Sequence, residues 1–263
     1  MLVKKIFFIF CLVVFAAGDA SSRPVPEPQS YGRVTLNNFT RDAGLAPVVF
    51  DHWLHRSKFT CRLCHVEVGF AMEAGATGIN ADLNRQGYYC GACHNGKIRY
   101  KRNPIFAACA ADYPKEEEKR CARCHSKGKK GVRQYDFKSN ARNLPRFKFG
   151  NAIDWEKAED QGLVRPLDFL EGVAAKRDRL KEPEEFSITA KASWASDVLF
   201  SHKKHAVWNG CEVCHPAIFP STRQGTVNYT MLEINRGKYC GLCHLKVAFS
   251  VVFCHKCHKT PMR

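Results

Sequence analysis

The sequence predicts a mostly irregular fold with short α-helices, built from two similar units in tandem. One observation is the pentapeptide C-x-x-C-H, which occurs six times and begins at Cys61, Cys90, Cys121, Cys211, Cys240 and Cys254. A second is an internal repeat, because the first two pentapeptides of the two halves are separated by a constant 150 positions. A third is that each unit has only about 60 to 80 residues, too few for an ordinary polypeptide core around three such sites.

The pentapeptide is the attachment signature of c-type haem. Two thiols spaced by two residues bond to one porphyrin, and the next histidine is held under the iron as its proximal ligand. C-x-x-C also occurs in zinc sites and thiol oxidoreductases, but neither requires the trailing histidine. Six copies therefore predict six covalently bound c-type haems and a haem-templated multihaem fold. The attachment residues are Cys61, Cys64, Cys90, Cys93, Cys121, Cys124, Cys211, Cys214, Cys240, Cys243, Cys254 and Cys257, and the proximal ligands are His65, His94, His125, His215, His244 and His258.

Residues 1–20 have the pattern of a secretory signal peptide. Lys4 and Lys5 precede an apolar run from Ile6 to Ala17, and small residues lead to an expected cleavage site near Ala20. The run is shorter than the roughly 20 residues of a membrane-spanning helix, so an uncleaved anchor is the weaker interpretation. A lipid anchor on Cys11 is also weaker, because Cys11 lies in the middle of the run. No later segment is apolar enough to span a bilayer, so we expect a periplasmic or extracellular protein.

The formal net charge of +16 at first suggests binding to nucleic acid or to an anionic surface. Six ferric haems with their propionates, together with loss of the leader, reduce this charge to a moderate value. The basic residues are scattered without a stacking or groove motif, so nucleic-acid binding is not expected. The lysines are either ordinary solvated residues or a means of steering acidic redox partners; examples are Lys127, Lys129, Lys130, Lys203 and Lys204.

After the leader, proline-rich residues 21–47 predict an extended segment, followed by trihaem unit 1 at 48–128. Residues 129–196 are charged and interrupted by prolines, and they read as a connector before trihaem unit 2 at 197–263. Short helices are expected in the connector at 154–161 and 166–181. Its aromatic residues favour packing on the haem units over a free solvated linker, which remains the alternative.

The spacing to the third motif is 17 residues longer in unit 1, which predicts a surface loop around Cys109 and Lys115 to Glu118. Cys109 is the cysteine left over once the motifs and the leader are accounted for. Its simplest interpretation is a buried small apolar residue, with a thiolate ligand or an intermolecular disulfide as alternatives.

Two histidines stand three residues apart before the first motif of each unit. They are His52 and His55 in unit 1 and His202 and His205 in unit 2. A short helical turn projects both members of such a pair to one side, toward two haems. Surface histidines are the alternative, but recurrence at the same offset argues against it.

Six irons have twelve axial positions, and the chain has only five histidines outside the proximal set, so at least one haem lacks a second histidine. In unit 2, Met231 precedes the second motif and is a candidate ligand, since methionine sulfur raises the haem potential. Packing on porphyrin is the alternative role for Met231, and His255 is a rival ligand. In unit 1 we expect Asn80 in the place of Met231. Met72 is then the nearest substitute, unless the ligand comes from the other unit or the site is open.

On these residues the chain resembles the class III c-type cytochromes, and most closely the tandem trihaem cytochromes of metal-reducing bacteria. The resemblance covers about residues 47–128 and 197–260 and rests on the Phe-x-His-x-x-His opening, the three motif spacings and Gly-x-Tyr-Cys-Gly-x-Cys-His at Gly87 and Gly237. It implies that His52 and His202 ligate the first haem of each unit, and that His55 and His205 ligate the second. It also implies that the third haem's ligand precedes the second motif, which Met231 matches and Asn80 does not.

The sequence therefore predicts an exported hexahaem c-type cytochrome that carries electrons between redox partners in extracytoplasmic respiration and is not an enzyme. The expected partners are other redox proteins, such as acidic cytochromes or an outer-membrane electron conduit. One alternative is a multihaem reductase that uses an open haem iron to act on a small oxyanion. Another is a structural subunit of a conduit or filament.

Overall fold

The computed structural model describes residues 27–109, 121–126, 136–178 and 181–259. The expected signal peptide, Cys11, the loop at 115–118 and Lys127, Lys129 and Lys130 lie outside this part of the chain. The described chain is mostly irregular with short helices, which confirms the predicted fold class. The α-helices of the described residues are α1 His52–Arg56, α2 Ala81–Arg85, α3 Cys90–Cys93, α4 Phe137–Ala141, α5 Trp155–Asp160, α6 His202–Asn209, α7 Met231–Asn235, α8 Gly241–His244 and α9 Cys254–Cys257. A short 3-10 helix at Pro28–Ser30 and a π-helix at Leu63–Glu67 accompany them.

The described residues also form three antiparallel strand pairs. Strand β1 Arg33–Leu36 pairs with β2 Val48–Asp51, β3 Arg99–Tyr100 with β4 Asn103–Pro104, and β5 Phe186–Ile188 with β6 Val198–Phe200. Strands β2 and β6 run almost directly into α1 and α6, the two helices that carry the histidine pairs. Each strand therefore fixes the start of a histidine-bearing helix.

Helices of only four to eight residues are marginally stable in isolation, so the unpaired backbone groups at their ends need hydrogen-bond partners. Side chains cap several of these helices: those of Asn80, Asp154 and Thr230 each accept a hydrogen bond from the backbone N–H three residues further on. The Thr230 hydroxyl also donates a hydrogen bond to the Glu233 carboxylate, which holds both side chains at the start of α7.

These caps correct one expectation from the sequence. Asn80 caps α2 and Thr230 caps α7, so these two residues are equivalent at the offset of 150. The placement of Asn80 opposite Met231 is therefore wrong by one residue. Ala81, the first residue of α2, occupies the position of Met231, the first residue of α7.

The buried apolar residues form small clusters, not one continuous core. One contains Trp53, Phe137, Ala141 and Ile153, a second Phe59, Leu63 and Leu170, and a third Ala158, Val164 and Trp208. Each cluster combines residues of a haem unit with residues of the connector. The connector thus packs against both units, as its aromatic content predicted.

Of the two helices expected in the connector, α5 is present and the one at 166–181 is absent from the residues described there. Leu167 is instead held in a strand-like bridge with Phe59, and its N–H donates to the Lys58 carbonyl. Tertiary hydrogen bonds have overridden the local preference for helix. The segment before unit 1 is also less extended than expected, because turns follow β1 as far as Gly44.

Candidate haem sites

The histidine pairs are positioned by the phenylalanine that precedes them. The Phe50 ring meets His52 edge-on at 4.9 Å between centroids and lies 4.4 Å from His55. In unit 2, Phe200 meets His202 at 5.0 Å and His205 at 4.4 Å with closely similar angles. The two units therefore hold their histidine pairs in the same way.

Three of these histidines face a C-x-x-C-H histidine across a gap suited to a metal ion. The centroids are 6.5 Å apart for His52 and His65, 6.3 Å for His55 and His94, and 6.2 Å for His205 and His244. Two imidazole nitrogens that each lie about 2 Å from one metal ion put the ring centroids roughly 6 Å apart. The spacing thus fits an iron between the members of each pair.

The structure does not bring His202 to its expected partner in the same way. His202 contacts Phe186 and Phe200, whereas His215 contacts Phe219. The fourth motif is therefore the place where the structure leaves the predicted ligand pair unassembled.

Backbone carbonyls orient most of these rings through Nδ1. Such a bond keeps the proton on Nδ1 and leaves Nε2 free to ligate a metal. The pairs are His52 with Gly32, His55 with Asp51, His65 with Phe70, His125 with Ala46, His205 with Ser201, His215 with Phe219, His244 with Phe249 and His258 with Ser196. His255 is exposed and is not held in this way.

Burial favours the neutral form, which is the form that ligates iron, in four of the histidines. Burial lowers the pKa of His55 to about 3, and it lowers those of His52, His94 and His244 to about 4. The unperturbed pKa is 6.5, so the imidazoles are uncharged at neutral pH.

In the described residues, neither the twelve motif cysteines nor Cys109 form disulfides with one another. Burial raises the pKa of Cys64, Cys90 and Cys243 to about 12. The described residues hold no group of three or more His, Cys, Asp or Glu suited to a metal ion.

The third motifs are anchored by equivalent contacts. His125 Nδ1 bonds the Ala46 carbonyl at 2.6 Å and His258 Nδ1 bonds the Ser196 carbonyl at 2.5 Å. Ala46 and Ser196 are 150 positions apart, so the repeat extends to the residues whose carbonyls bind these two histidines. The sequence did not predict these contacts, because every residue has a backbone carbonyl and the residue type does not reveal which one is used.

The candidate methionines both line the same large cavity. Met231 is 48% exposed at the start of α7, and Met72 lies in the loop between the first motif and α2. Cys109 is absent from the cavity wall; it lies by the Asn84 amide and adopts a positive φ of 56°.

The cavity has a volume of about 2420 Å³ and is lined by residues of both units and of the connector. Ordinary ligand pockets measure about 300 to 1,000 Å³. Together with the oriented histidines and the paired cysteines, a cavity of this size fits several haems covalently held by the chain.

The site and the fold define a multihaem c-type cytochrome. The family model of cytochrome c7 and related cytochrome c matches residues 48–126 and 198–259, which is more than half of the chain. The chain belongs to this family.

Solved structures of similar chains include hexahaem fragments of GSU1996 from Geobacter. The C-terminal fragment is 23% identical over 87% of this chain and 98% of that one, with a TM-score of 0.26. The N-terminal fragment is 24% identical over the same shares, also with a TM-score of 0.26. A c7-type three-haem cytochrome domain is 35% identical over 30% of this chain and 95% of that one, with a TM-score of 0.27.

The comparison with curated proteins gave no match. Among the described residues, no helix has both the length and the apolar character needed to cross a membrane.

Proposed function

We propose that this protein carries electrons between redox partners outside the cytoplasm through six covalently bound haems. The twelve motif cysteines attach the haems, and the six motif histidines are the proximal ligands. Residues 48–128 and 197–263 would form the two trihaem units. Each haem, when bound, supplies a one-electron iron couple, and the chain sets its potential through ligands, burial and nearby charge.

The observation that carries the proposal is the continuity of the attachment cysteines. In unit 1, Cys124 lies close to Cys90, and Cys90 and Cys93 lie close to Cys64. Since a haem is bonded to its own cysteines, neighbouring cysteines imply neighbouring haems.

The same chain of contacts crosses into unit 2. Cys61 lies close to both Cys214 and Cys243, and Cys240 lies close to Cys257. The attachment sites therefore form a continuous series in space. It runs from the third motif through the second to the first, and then into unit 2 through the fourth and fifth motifs to the sixth. This arrangement suits electron transfer along the whole chain.

The proposed distal ligands are the four paired histidines and Met231. His52, His55 and His205 have the spacing described above, and His202 is proposed from its equivalence to His52. An iron with two protein ligands has no position left for a substrate, so these haems favour outer-sphere transfer. Met72 and His255 are weaker candidates, and the exposed position of His255 gives it no support.

A second function has one observation in its favour. Ala81 occupies the position of Met231, so α2 offers no ligand to the third haem of unit 1. An open iron there would make the protein a multihaem reductase that acts on a small oxyanion.

One experiment separates the two functions. The purified holoprotein is analysed for haem content by mass and for ligation by low-temperature electron paramagnetic resonance. Electron transfer predicts six haems, all low-spin, and no carbon monoxide or nitrite binding after reduction. One high-spin haem that binds nitrite supports the reductase, and a content other than six contradicts the proposed haem set.

Export and partners extend the proposal. Cytochromes of this kind are normally extracytoplasmic, and the predicted leader at residues 1–20 agrees with this location. Acidic cytochromes or an outer-membrane conduit are suitable partners for a basic chain. Cell fractionation tests export: the haem-stained protein should be found in the periplasm or medium, and recovery in the cytoplasm would contradict it.

A further inference from the structure

Arg56, at the end of α1, lies between two tryptophans that come from the connector and from unit 2. Its guanidinium carbon is 4.5 Å from the centre of the Trp155 ring and 4.9 Å from that of Trp208. One of its nitrogens, Nη1, donates to the Val247 carbonyl at 2.6 Å. Arg56 thus contacts the parts of the chain that meet at the junction of the two units.

A second donor of Arg56 has no partner. Its Nε atom is buried and makes no hydrogen bond, and no ion pair joins it to an acidic residue within the described ranges. The residues near its guanidinium include Cys61, Cys243 and Tyr31, and none of them is an acid that is charged at neutral pH. A buried cation with an unpaired N–H is costly, because it has lost water without gaining an anion. Arg56 also lines the cavity that fits the haems.

Arg56 lies beside haem ligands of both units. It follows His52, the proposed distal ligand at the first motif, by one turn on α1, and the Val247 carbonyl that it bonds is three residues beyond His244, the proximal ligand at the fifth. Cys61 and Cys243 belong to the same two motifs. The equivalent residue of unit 2 is Ala206, so this cation is a feature of the junction and not of every trihaem unit.

We propose that Arg56 binds a propionate of the haem at the first or the fifth motif and raises the reduction potentials of both haems. The inference rests on the proposed six-haem function. A guanidinium offers two parallel donors to a carboxylate, and both tryptophan faces hold it in place. A fixed positive charge in a poorly solvated site favours the reduced iron, which carries one positive charge less.

The test is a spectroelectrochemical titration of holoprotein variants, with individual haems assigned by paramagnetic NMR. In Arg56→Gln, the oxidised-to-reduced ratio of two haems at fixed ambient potential should rise about tenfold, which is about 59 mV for a one-electron couple. The other four haems should change little. Arg56→Lys keeps the charge and should stay close to the wild type. Lys203→Gln is the matched control, because it removes an exposed charge beside His202.

Three results would overturn the inference: no shift in Arg56→Gln, an equal shift of all six haems, or the same shift in Arg56→Lys. The last two would mean that Arg56 acts through packing. If Arg56→Gln does not accumulate with haem, a crystal structure of the wild-type holoprotein decides. A propionate oxygen about 3 Å from Nε supports the inference, and its absence refutes it. The haem content of the same samples tests the six-haem function separately.

Discussion

Replacing Gly91 by alanine should destabilise unit 1 through a collision between two backbones. Gly91 follows the first cysteine of the second motif, and a Cβ built there lies 1.8 Å from the carbonyl oxygen of Asn84. Real Cβ contacts stay above 3.0 Å. In unit 2, a Cβ at Gly241 lies 1.8 Å from the carbonyl oxygen of Ile234. The end of α2 or α7 therefore rests directly on the haem motif that follows it.

The expected cost follows from what must move. The contact has to open from 1.8 Å to at least 3.0 Å, and the obstructing atoms belong to the backbone, so no side chain can rotate away. Overpacking of this kind costs about 1 to 3 kcal/mol or more. At about 2 to 4 °C per kcal/mol for a chain of this size, the melting temperature should fall by roughly 2 to 12 °C.

The assay is thermal unfolding of the oxidised holoprotein, followed by circular dichroism in the Soret band. Gly78→Ala is the matched control, because a Cβ built at Gly78 meets no heavy atom within 4 Å and Gly78 has no positive φ. That control should be unchanged or slightly more stable, since alanine restricts the unfolded chain. Equal melting temperatures for Gly91→Ala and Gly78→Ala would refute the close backbone contact.

Three further predictions concern the ligand of the sixth motif's haem and the ion pairs near the junction. Met231→Ala should replace the signal of one His/Met haem by that of a high-spin haem in low-temperature paramagnetic resonance, because no other ligand lies at the start of α7. Asp168→Ala should lower the free energy of unfolding by about 1 to 3 kcal/mol in a denaturant titration, because the Arg62 side chain is 0% exposed and loses its bonds to that carboxylate. Glu212 accepts a hydrogen bond from Arg177, which lowers its pKa from 4.5 to about 2. The stabilisation by this ion pair should therefore be complete above pH 4.5 and disappear as the pH falls toward 2. It should amount to less than about 1 kcal/mol, because the pair is partly exposed. In an acid titration, Glu212→Gln should lack this pH-dependent loss of stability.

Neighbouring residues supply controls for these experiments. Leu232→Ala removes an exposed side chain next to Met231 and should leave every haem signal intact. Asp178→Ala removes an exposed connector carboxylate and should not alter stability, so a loss equal to that of Asp168→Ala would argue against the Arg62 interaction. Unchanged ligation in Met231→Ala would contradict the proposed ligand, and identical acid titrations of Glu212→Gln and wild type would contradict the role of Arg177.

Several local features of the fold are readable from the residues alone. Asp154 before Trp155 predicts the start of α5, because an aspartate at that position accepts a backbone hydrogen bond. The positive φ of Gly87 and Gly237, 91° and 87°, explains the glycine that opens the Gly-x-Tyr-Cys-Gly stretch. The helix expected at 166–181 failed because Leu167 and Asp168 are engaged by Phe59, Lys58 and Arg62, which lie more than 100 positions away.

The candidate haem sites also have some features that the sequence predicts and others that depend on the fold. Cysteine spacing and the repeated histidines are periodic features, so the sequence by itself was enough to predict the attachment residues, the ligand deficit and the two similar units. The ring positions in the structure were needed to show which histidines face each other. The helix caps were needed to show that Ala81, and not Asn80, is equivalent to Met231.

The tertiary structure alone decided how the two units meet. Arg56 has no repeat partner and belongs to no motif, so its sequence context gives no hint of its role. It becomes informative only because the fold places Trp155, Trp208 and the Val247 carbonyl around it. Each haem needs its own attachment cysteines and histidine, so these residues repeat along the sequence and can be recognised. The junction between the units occurs once and consists of contacts between distant segments, so no local sequence pattern predicts it.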